Sequence, residues 1–132
     1  MKKNTFRKQE RLCSKKHIEE LFAGDSQSFT AYPLRVVFAS MEDTEESTQD
    51  NPFKVLISVS KRHFKHAFSR NRIKRLIREA WRLNKHILTE SVGTQKLMLA
   101  FIWMSDKTAD YATITSSVKN LLPRVAENLQ QQ

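Results

Sequence analysis

The sequence is poor in residues on which several classes of site depend, with one cysteine, two glycines and three prolines among 132 residues. Cys13 alone provides neither a disulfide framework nor a cysteine-rich zinc site. Gly24 and Gly93 stand far apart, so the chain has no glycine-rich phosphate loop, no dinucleotide-binding turn and no GxSxG nucleophile element. These absences exclude the commonest nucleotide-binding and hydrolase motifs.

Long hydrophobic runs are also absent. The longest run, residues 97–104, is far shorter than the roughly 20 residues that a helix needs to cross a bilayer. The N-terminus is basic and lacks the apolar run of a secretory signal. We therefore expect a cytoplasmic protein without a membrane span.

Groups that could support catalysis or bind a metal are sparse. His63 and His66 lie three residues apart, but no cysteine or carboxylate close in sequence completes a metal shell. Asp106 and Asp110 could form a metal pair, yet a turn residue and a helix cap explain them more simply. The sequence therefore predicts no catalytic residue and no metal ligand in the protein itself.

Positive charge is plentiful and clustered. The chain carries 23 Lys and Arg against 14 Asp and Glu, a formal net charge of +9. Residues 1–16 hold seven of the cations and residues 61–85 hold ten. Such clustering is typical of nucleic-acid binders, because each neutralised phosphate releases counterions. A membrane surface could also attract these charges.

The stretch 61–85 contains no glycine or proline, and it predicts an amphipathic helix from about His66 to Leu88. One arc of the helical wheel is apolar and faces the core rather than a lipid surface: Ile73, Leu76, Ile77, Ala80, Trp81, Asn84, Ile87 and Leu88. The opposite arc is polar and mainly cationic: Asn71, Lys74, Arg75, Arg78, Arg82 and Lys85.

Like charges repeat along this helix at a spacing of four residues, a ladder of Arg70, Lys74, Arg78 and Arg82. Each such pair destabilises a helix by a few tenths of a kcal/mol. Glu79, four residues after Arg75, relieves the repulsion only in part. The ladder indicates an anionic partner, the alternative being an ordinary solvated helix face.

RNA is favoured over DNA as that partner, because a strand rather than a second short helix precedes the basic helix. Arginine suits phosphate, since its planar fork donates two parallel hydrogen bonds. The candidate RNA-binding residues are Lys61, Arg62, Lys65, Arg70, Asn71, Arg72, Lys74, Arg75, Arg78 and Arg82.

The remaining pattern predicts an α+β fold, a two-layer sandwich with helices over one mixed sheet. The predicted order is α-β-β-α-β-α with a possible third early strand. The helices are placed at residues 14–23, 66–88 and from 111, and the strands at 33–40, 53–60 and 96–103. The last strand is expected to be central and buried on both faces.

The connections have their own predictions within this single domain, 1–132. Residues 1–12 are predicted to form a flexible basic arm, residues 25–31 a polar connection, and residues 41–51 an acidic, solvated hairpin loop. Pro123 is expected to kink or end the last helix. Among the aromatic residues, Phe22 is the leading candidate for stacking on a base, and Trp81 and Trp103 are expected in the core.

Two segments carry a specific family resemblance. ISVSKR (57–62) followed by AFSRNRIKRLIREAWR (67–82) resembles the signature of the protein subunit of bacterial ribonuclease P, a strand ending in SVSK and then RNRxKRxxRE on a helix. The length, the basic start and the final helix also fit. The sequence departs from the family where glycine is usual, at Leu56 and between SVSK and RNR.

The resemblance implies a small α+β sandwich with a left-handed strand-helix-strand crossover, and a partner RNA that performs the reaction. That reaction is Mg²⁺-dependent hydrolysis that removes the 5′ leader from precursor tRNA, with the ions bound mainly by the RNA. The RNR helix face would contact the catalytic RNA. Ile18, Phe22 and Lys61 would line the cleft that holds the single-stranded leader.

Two other functions remain open at this point. A structural RNA-binding protein of the ribosome-associated type would use the same basic face. A protein-only nuclease would need carboxylates clustered beside the basic residues, where the sequence has few.

Overall fold

The computed structural model describes residues 19, 26–41, 53–62, 64–92 and 96–130. Within these residues four strands and three helices follow one another in the order β-β-β-α-α-β-α, which is an α+β arrangement as the sequence predicts. The strands are β1 (Gln27–Ala31), β2 (Leu34–Met41), β3 (Phe53–Ser58) and β4 (Lys96–Trp103). The helices are α1 (Ala67–Asn84), α2 (His86–Val92) and α3 (Tyr111–Gln130).

The four strands form one mixed sheet in the order β1-β2-β4-β3. β2 pairs antiparallel with both β1 and β4, whereas β3 pairs parallel with β4. β4 is therefore an interior strand. Its alternate side chains are buried on opposite faces, Leu99 and Phe101 on one and Met98 and Ala100 on the other. This confirms the prediction for the most apolar segment of the chain.

The core lies between one face of the sheet and the helices. Trp81 of α1 stands edge-on to Phe53 of β3, with ring centroids 5.2 Å apart, and lies 5.8 Å from the ring of Phe101. From α3, Ile114 and Val118 are fully buried in the same cluster. The sheet therefore positions α1 through a strand on its edge and a strand at its centre.

The prediction of a polar connection at residues 25–31 is wrong, because Gln27–Ala31 forms the edge strand β1. This is the third early strand that the sequence left possible. Phe29 stacks on Phe38 with centroids 5.6 Å apart, and Arg124 of α3 lies 4.8 Å from the Phe29 ring centroid. Ser28 and Thr30, on either side of Phe29, are exposed. One side of the strand is therefore polar, and its sequence resembles that of a loop.

The hairpin predicted between the second and third strands is also wrong. β4 lies between β2 and β3, so these two strands are not neighbours. The centre of a sheet is buried on both faces and favours the most apolar strand, which comes later in the chain. Residues 42–52, which include most of the acidic loop, lie outside the described residues. The left-handed crossover between β3 and β4 stays a prediction.

The predicted helix from 66 to 88 is two helices that meet at Lys85. The Lys85 backbone N–H donates to the Trp81 carbonyl at 2.8 Å, and the Lys85 carbonyl accepts from Leu88 and Thr89 at 3.0 and 3.1 Å. Asn84 is buried here and donates its side-chain N–H to the Ala80 carbonyl at 2.8 Å. This bond satisfies a polar group that would be costly to bury alone.

The last helix continues past Pro123 to Gln130, so the proline does not end it. Its start confirms the capping interpretation of Asp110, whose Oδ1 accepts a hydrogen bond from the Thr113 backbone N–H at 2.9 Å. A hydrogen bond from the Thr113 side chain, and then this backbone bond, lower the pKa of Asp110. None of the described helices has the length and apolarity needed to span a bilayer.

The segments predicted before β1 lie almost entirely outside the described residues. The basic arm at 1–12 and the first helix at 14–23 belong to this part of the chain, and only Glu19 of that helix is described, as helical and exposed. These two predictions remain untested.

The burial of Trp81 leads to a prediction about the stability of the fold. Trp81→Ala should lower the free energy of unfolding by about 3–5 kcal/mol, because it empties a fully buried site between two strands. Urea denaturation measures this change. Leu83→Ala is the matched control on α1, since Leu83 is 39% exposed and its loss should cost within about 0.5 kcal/mol. Similar losses in both variants would contradict the assigned packing.

Candidate nucleic-acid interface

Helix α1 presents its charged residues because its opposite side is fixed in the core. Ile73, Ile77, Ala80 and Trp81 are fully buried, which sets the rotation of the helix about its axis. The side chains about 180° away on the wheel must then face solvent. The apolar arc predicted from the sequence is thus confirmed, and the cationic arc lies outside.

We define the basic face as the polar arc of α1 together with the connection that leads into it. Its members are Lys61, Arg62, Lys65, Asn71, Arg72, Lys74, Arg75, Arg78 and Arg82. Arg72 and Arg75 are exposed, whereas Lys74 and Arg78 are partly buried. Lys61, Arg62 and Lys65 are exposed as well. The structure therefore brings the residues singled out in the sequence onto one helix and the turn before it.

Four cations that α1 contributes to this face stand without a neutralising group among the described residues. Within the described part of the chain, the side chains of Arg72, Lys74, Arg75 and Arg78 have no hydrogen-bond or ion-pair partner. Unpaired guanidinium groups at the surface keep all of their donors available to water or to an anion. Their mutual repulsion is left uncompensated by the protein.

Arg82 differs because it is paired with Glu79. Its Nε donates to Glu79 Oε2 at 3.1 Å, and a second nitrogen forms an ion pair with Oε1. The hydrogen bond from Arg82 lowers the pKa of Glu79 below its ordinary value of 4.5. The pair therefore stabilises the fold above that pH, and its contribution is lost as the pH falls through the lowered pKa. The sequence placed Glu79 four residues after Arg75, but the carboxylate pairs with Arg82 instead.

Arg70, the first arginine of the RNR motif, is partly engaged with the protein backbone. One terminal nitrogen donates to the Phe64 carbonyl at 2.8 Å and to the Lys65 carbonyl at 3.1 Å. Phe64 itself packs against the core. Arg70 therefore fixes the connection between β3 and α1, in addition to its predicted contact with RNA.

The start of α1 adds positive potential to the same surface. His66 precedes the helix in an extended conformation and forms no side-chain cap, and the first turn holds no acidic residue. The N-terminal end of a helix carries a partial positive charge, which an acidic residue here would have reduced. The helix dipole and the basic face therefore act in the same direction.

The predicted leader cleft is only partly visible. Lys61 is exposed just beyond β3, whereas Ile18 and Phe22 lie outside the described residues. On the sheet, Phe38 and Phe53 are buried in the core and Phe29 is partly buried against it. Tyr32, in contrast, is 70% exposed.

One functional candidate was missed by sequence reasoning. Phe68, in the first turn of α1, is 79% exposed. It precedes Arg72 by four residues and Arg75 by seven, so all three lie on one side of the helix. The helical wheel that identified the cationic arc could have found it, had apolar residues on that arc been considered.

The basic face is poorly suited to hold Mg²⁺, which prefers carboxylate oxygens. Its carboxylate, Glu79, is already paired with Arg82. No group of three or more His, Cys, Asp or Glu side chains forms a metal-binding cluster among the residues that the structure describes. The magnesium that the resemblance implies stays a prediction.

The Glu79–Arg82 pair leads to a prediction about affinity for RNA. Glu79→Gln should tighten binding to a bacterial ribonuclease P RNA by roughly twofold at low salt, because it removes a negative charge beside the basic face. The gain should vanish at high salt, where exposed charges are screened. Filter binding across a salt series measures both effects. Weaker binding would instead assign Glu79 the task of orienting Arg82 toward the RNA.

Comparison with known proteins completes the description of this site. The family model for ribonuclease P matches residues 6–126. Ribonuclease P protein components from two strains of Porphyromonas gingivalis are 36% identical over 124 residues, 92% of this chain and 87% of theirs. The component from Chlorobaculum tepidum is 31% identical over 103 residues, 72% of this chain and 66% of its own.

Two solved structures share the fold. The RNase P protein of Staphylococcus aureus superposes with a TM-score of 0.67 at 21% identity, covering 88% of this chain and 94% of that one. The RNase P protein of Thermotoga maritima has a TM-score of 0.64 at 22% identity, covering 87% and 96%. With the family match and the sequence relatives, these findings show that the chain belongs to the family of bacterial ribonuclease P protein components.

Proposed function

We propose that this protein is the RNA-binding cofactor of a ribonuclease P ribozyme. Membership of the family implies a role in maturing the 5′ end of tRNA. In the proposed assembly the RNA subunit cleaves precursor tRNA in the cytoplasm, and the protein binds both that RNA and the leader. The observation that supports this most directly is the unneutralised basic face on α1.

The basic face supplies affinity for the catalytic RNA through phosphate contacts. Arg72 and Arg75 are exposed and have no partner among the described residues, so binding an anion requires no internal salt bridge to break. Each contact that neutralises a phosphate releases condensed counterions, which favours binding at low salt. The face reads backbone and shape rather than base sequence.

The leader is proposed to bind at the other end of the same surface. Lys61 follows β3 and is exposed, and it can neutralise a leader phosphate. Ile18 and Phe22 complete the proposed cleft, in accordance with the family resemblance. In this proposal the leader contacts the end of β3 and the catalytic RNA contacts α1. The protein thus binds two RNAs that would otherwise repel each other.

The chemistry of cleavage is assigned to the RNA and its magnesium ions. Metal ions bound by RNA can activate water and stabilise the leaving oxygen. The protein, with its formal charge of +9, reduces the repulsion between catalytic RNA and substrate. It therefore lowers the magnesium concentration that the two RNAs need to associate.

Reconstitution tests this function. The protein, a bacterial ribonuclease P RNA and a precursor tRNA are combined at low magnesium, and each component is omitted in turn. We expect cleavage at the leader junction only when both protein and RNA are present. Tight RNA binding without stimulated cleavage would favour the structural RNA-binding protein. Cleavage by the protein alone would favour a protein-only nuclease.

The assigned face is tested by Arg72→Ala and Arg75→Ala. Each should weaken affinity for the ribonuclease P RNA and lower the slope of log affinity against log salt by about one, the value for one lost phosphate contact. Lys119→Ala is the matched control, because it removes an exposed cation from α3. Unchanged binding in both arginine variants, with the fold intact, would mean that RNA contacts another surface.

A further inference from the structure

Phe68 lies among the residues of the basic face, and its position there is more informative than its exposure alone. The side chain is 79% exposed, the largest fraction among the exposed large hydrophobic residues of the described chain. Single exposed apolar residues are common on protein surfaces and need no function. What distinguishes Phe68 is its position among cations that have no partner.

Arg72 and Arg75 follow Phe68 on the same side of α1. Helical geometry places them about 6 Å and about 10 Å further along the axis, within roughly 40° of Phe68 on the wheel. Both are exposed, and no described residue pairs with either. The aromatic ring therefore begins a stripe of two free guanidinium groups.

The faces of the Phe68 ring are open in the described part of the chain. The aromatic contacts of the core involve other rings, such as Phe53 with Trp81. A cation lies over a phenylalanine elsewhere in the fold, where Arg124 covers Phe29. No comparable contact covers Phe68, although Arg72 lies only one turn away.

We propose that Phe68 is a stacking platform for an unpaired base of the bound RNA, with Arg72 and Arg75 contacting the phosphates beside that base. This inference rests on the proposed function and specifies the form of RNA that the face takes. Bases stack on aromatic side chains with little sequence preference, because every base has a π-face. In a duplex both faces of an internal base are already stacked, so the platform selects a bulged, looped or terminal nucleotide.

A protein partner is a poorer match for the same surface. A stable protein interface typically buries about 800 Å² on each side, and the centre of that surface is apolar and depleted in charge. The next exposed apolar residue on α1 is Leu83, about 22 Å along the axis. A lone ring flanked by cations fits a nucleotide better than an apolar interface.

Affinity measurements separate stacking from charge. The probes are a bacterial ribonuclease P RNA and two short RNA hairpins, one with a single bulged adenosine and one fully paired. Phe68→Leu should bind the RNase P RNA and the bulged hairpin about tenfold more weakly than the wild type does. Phe68→Tyr, which keeps an aromatic ring, should bind both with wild-type affinity. The salt slope should stay as in the wild type, because no phosphate contact is lost. The fully paired hairpin should bind Phe68→Leu and wild type equally.

Fluorescence gives a second readout. Phe68→Trp places an indole at the proposed platform, and stacking on a base should quench its emission when the bulged hairpin binds. Trp81 and Trp103 are buried and should contribute a constant background, which the wild type measures. Leu83→Ala is the control for an apolar loss on the same helix and should leave affinity unchanged.

The outcomes distinguish this inference from the proposed function. Normal affinity of Phe68→Leu, or unquenched emission from Phe68→Trp, would overturn the stacking platform even if Arg72→Ala and Arg75→Ala weaken binding. Normal binding by those arginine variants would instead overturn the assigned face. Equal losses for bulged and paired hairpins would also contradict stacking. Thermal unfolding of each variant should match the wild type, because an exposed ring contributes little to the core.

Discussion

The packing of α1 on the sheet is the constraint on which the rest depends. Trp81 lies against Phe53 and Phe101, and Ile73 and Ile77 are fully buried beside it. Each such side chain contributes about 1.5–3 kcal/mol when buried, whereas a like-charge pair one turn apart costs only a few tenths. Burial therefore outweighs the repulsion among the cations several times over. The helix forms despite its charge, and its fixed rotation keeps that charge outside.

The arginines of this helix do not act alike, although they look equivalent in sequence. Arg70 donates to two backbone carbonyls and Arg82 is paired with Glu79, so both side chains also make contacts within the protein. Arg72 and Arg75 have no such partner among the described residues. The RNR motif therefore combines an arginine that organises the preceding connection with one that is available to an anion. Counting positive charges would overstate the number of contacts that the proposed RNA partner can make.

What could be predicted from the sequence followed from local patterns. The apolar arc of α1 and the continuous apolar segment of β4 each indicate burial from the local sequence. The bounds of β4 and the start of α1 were therefore predicted closely, whereas the break at Lys85 was not. The order of the strands depends on pairing between distant segments, which no local pattern specifies. β1 was missed because Ser28 and Thr30 make half of it polar, and its antiparallel pairing with β2 reveals it as a strand.

The same limit applies to the site. Sequence spacing identified every cation of the basic face, because charge periodicity is local. It did not decide whether Glu79 would pair with Arg75 at four residues or Arg82 at three, since both spacings bring side chains together on a helix. Nor did it single out Phe68, whose significance comes from its exposure beside free arginines.

The connection and α1 act as one surface because the sheet and Arg70 hold them together. β3 is paired with the central strand, which fixes the point where the chain leaves the sheet at Val59 and Ser60. Arg70 then ties the carbonyls of the connection to the first turn of the helix. These bonds link the connection that carries Lys61 to the helix that carries Arg72. Such a link limits the ordering cost of binding, so more of the electrostatic attraction would appear as affinity for the proposed RNA partner.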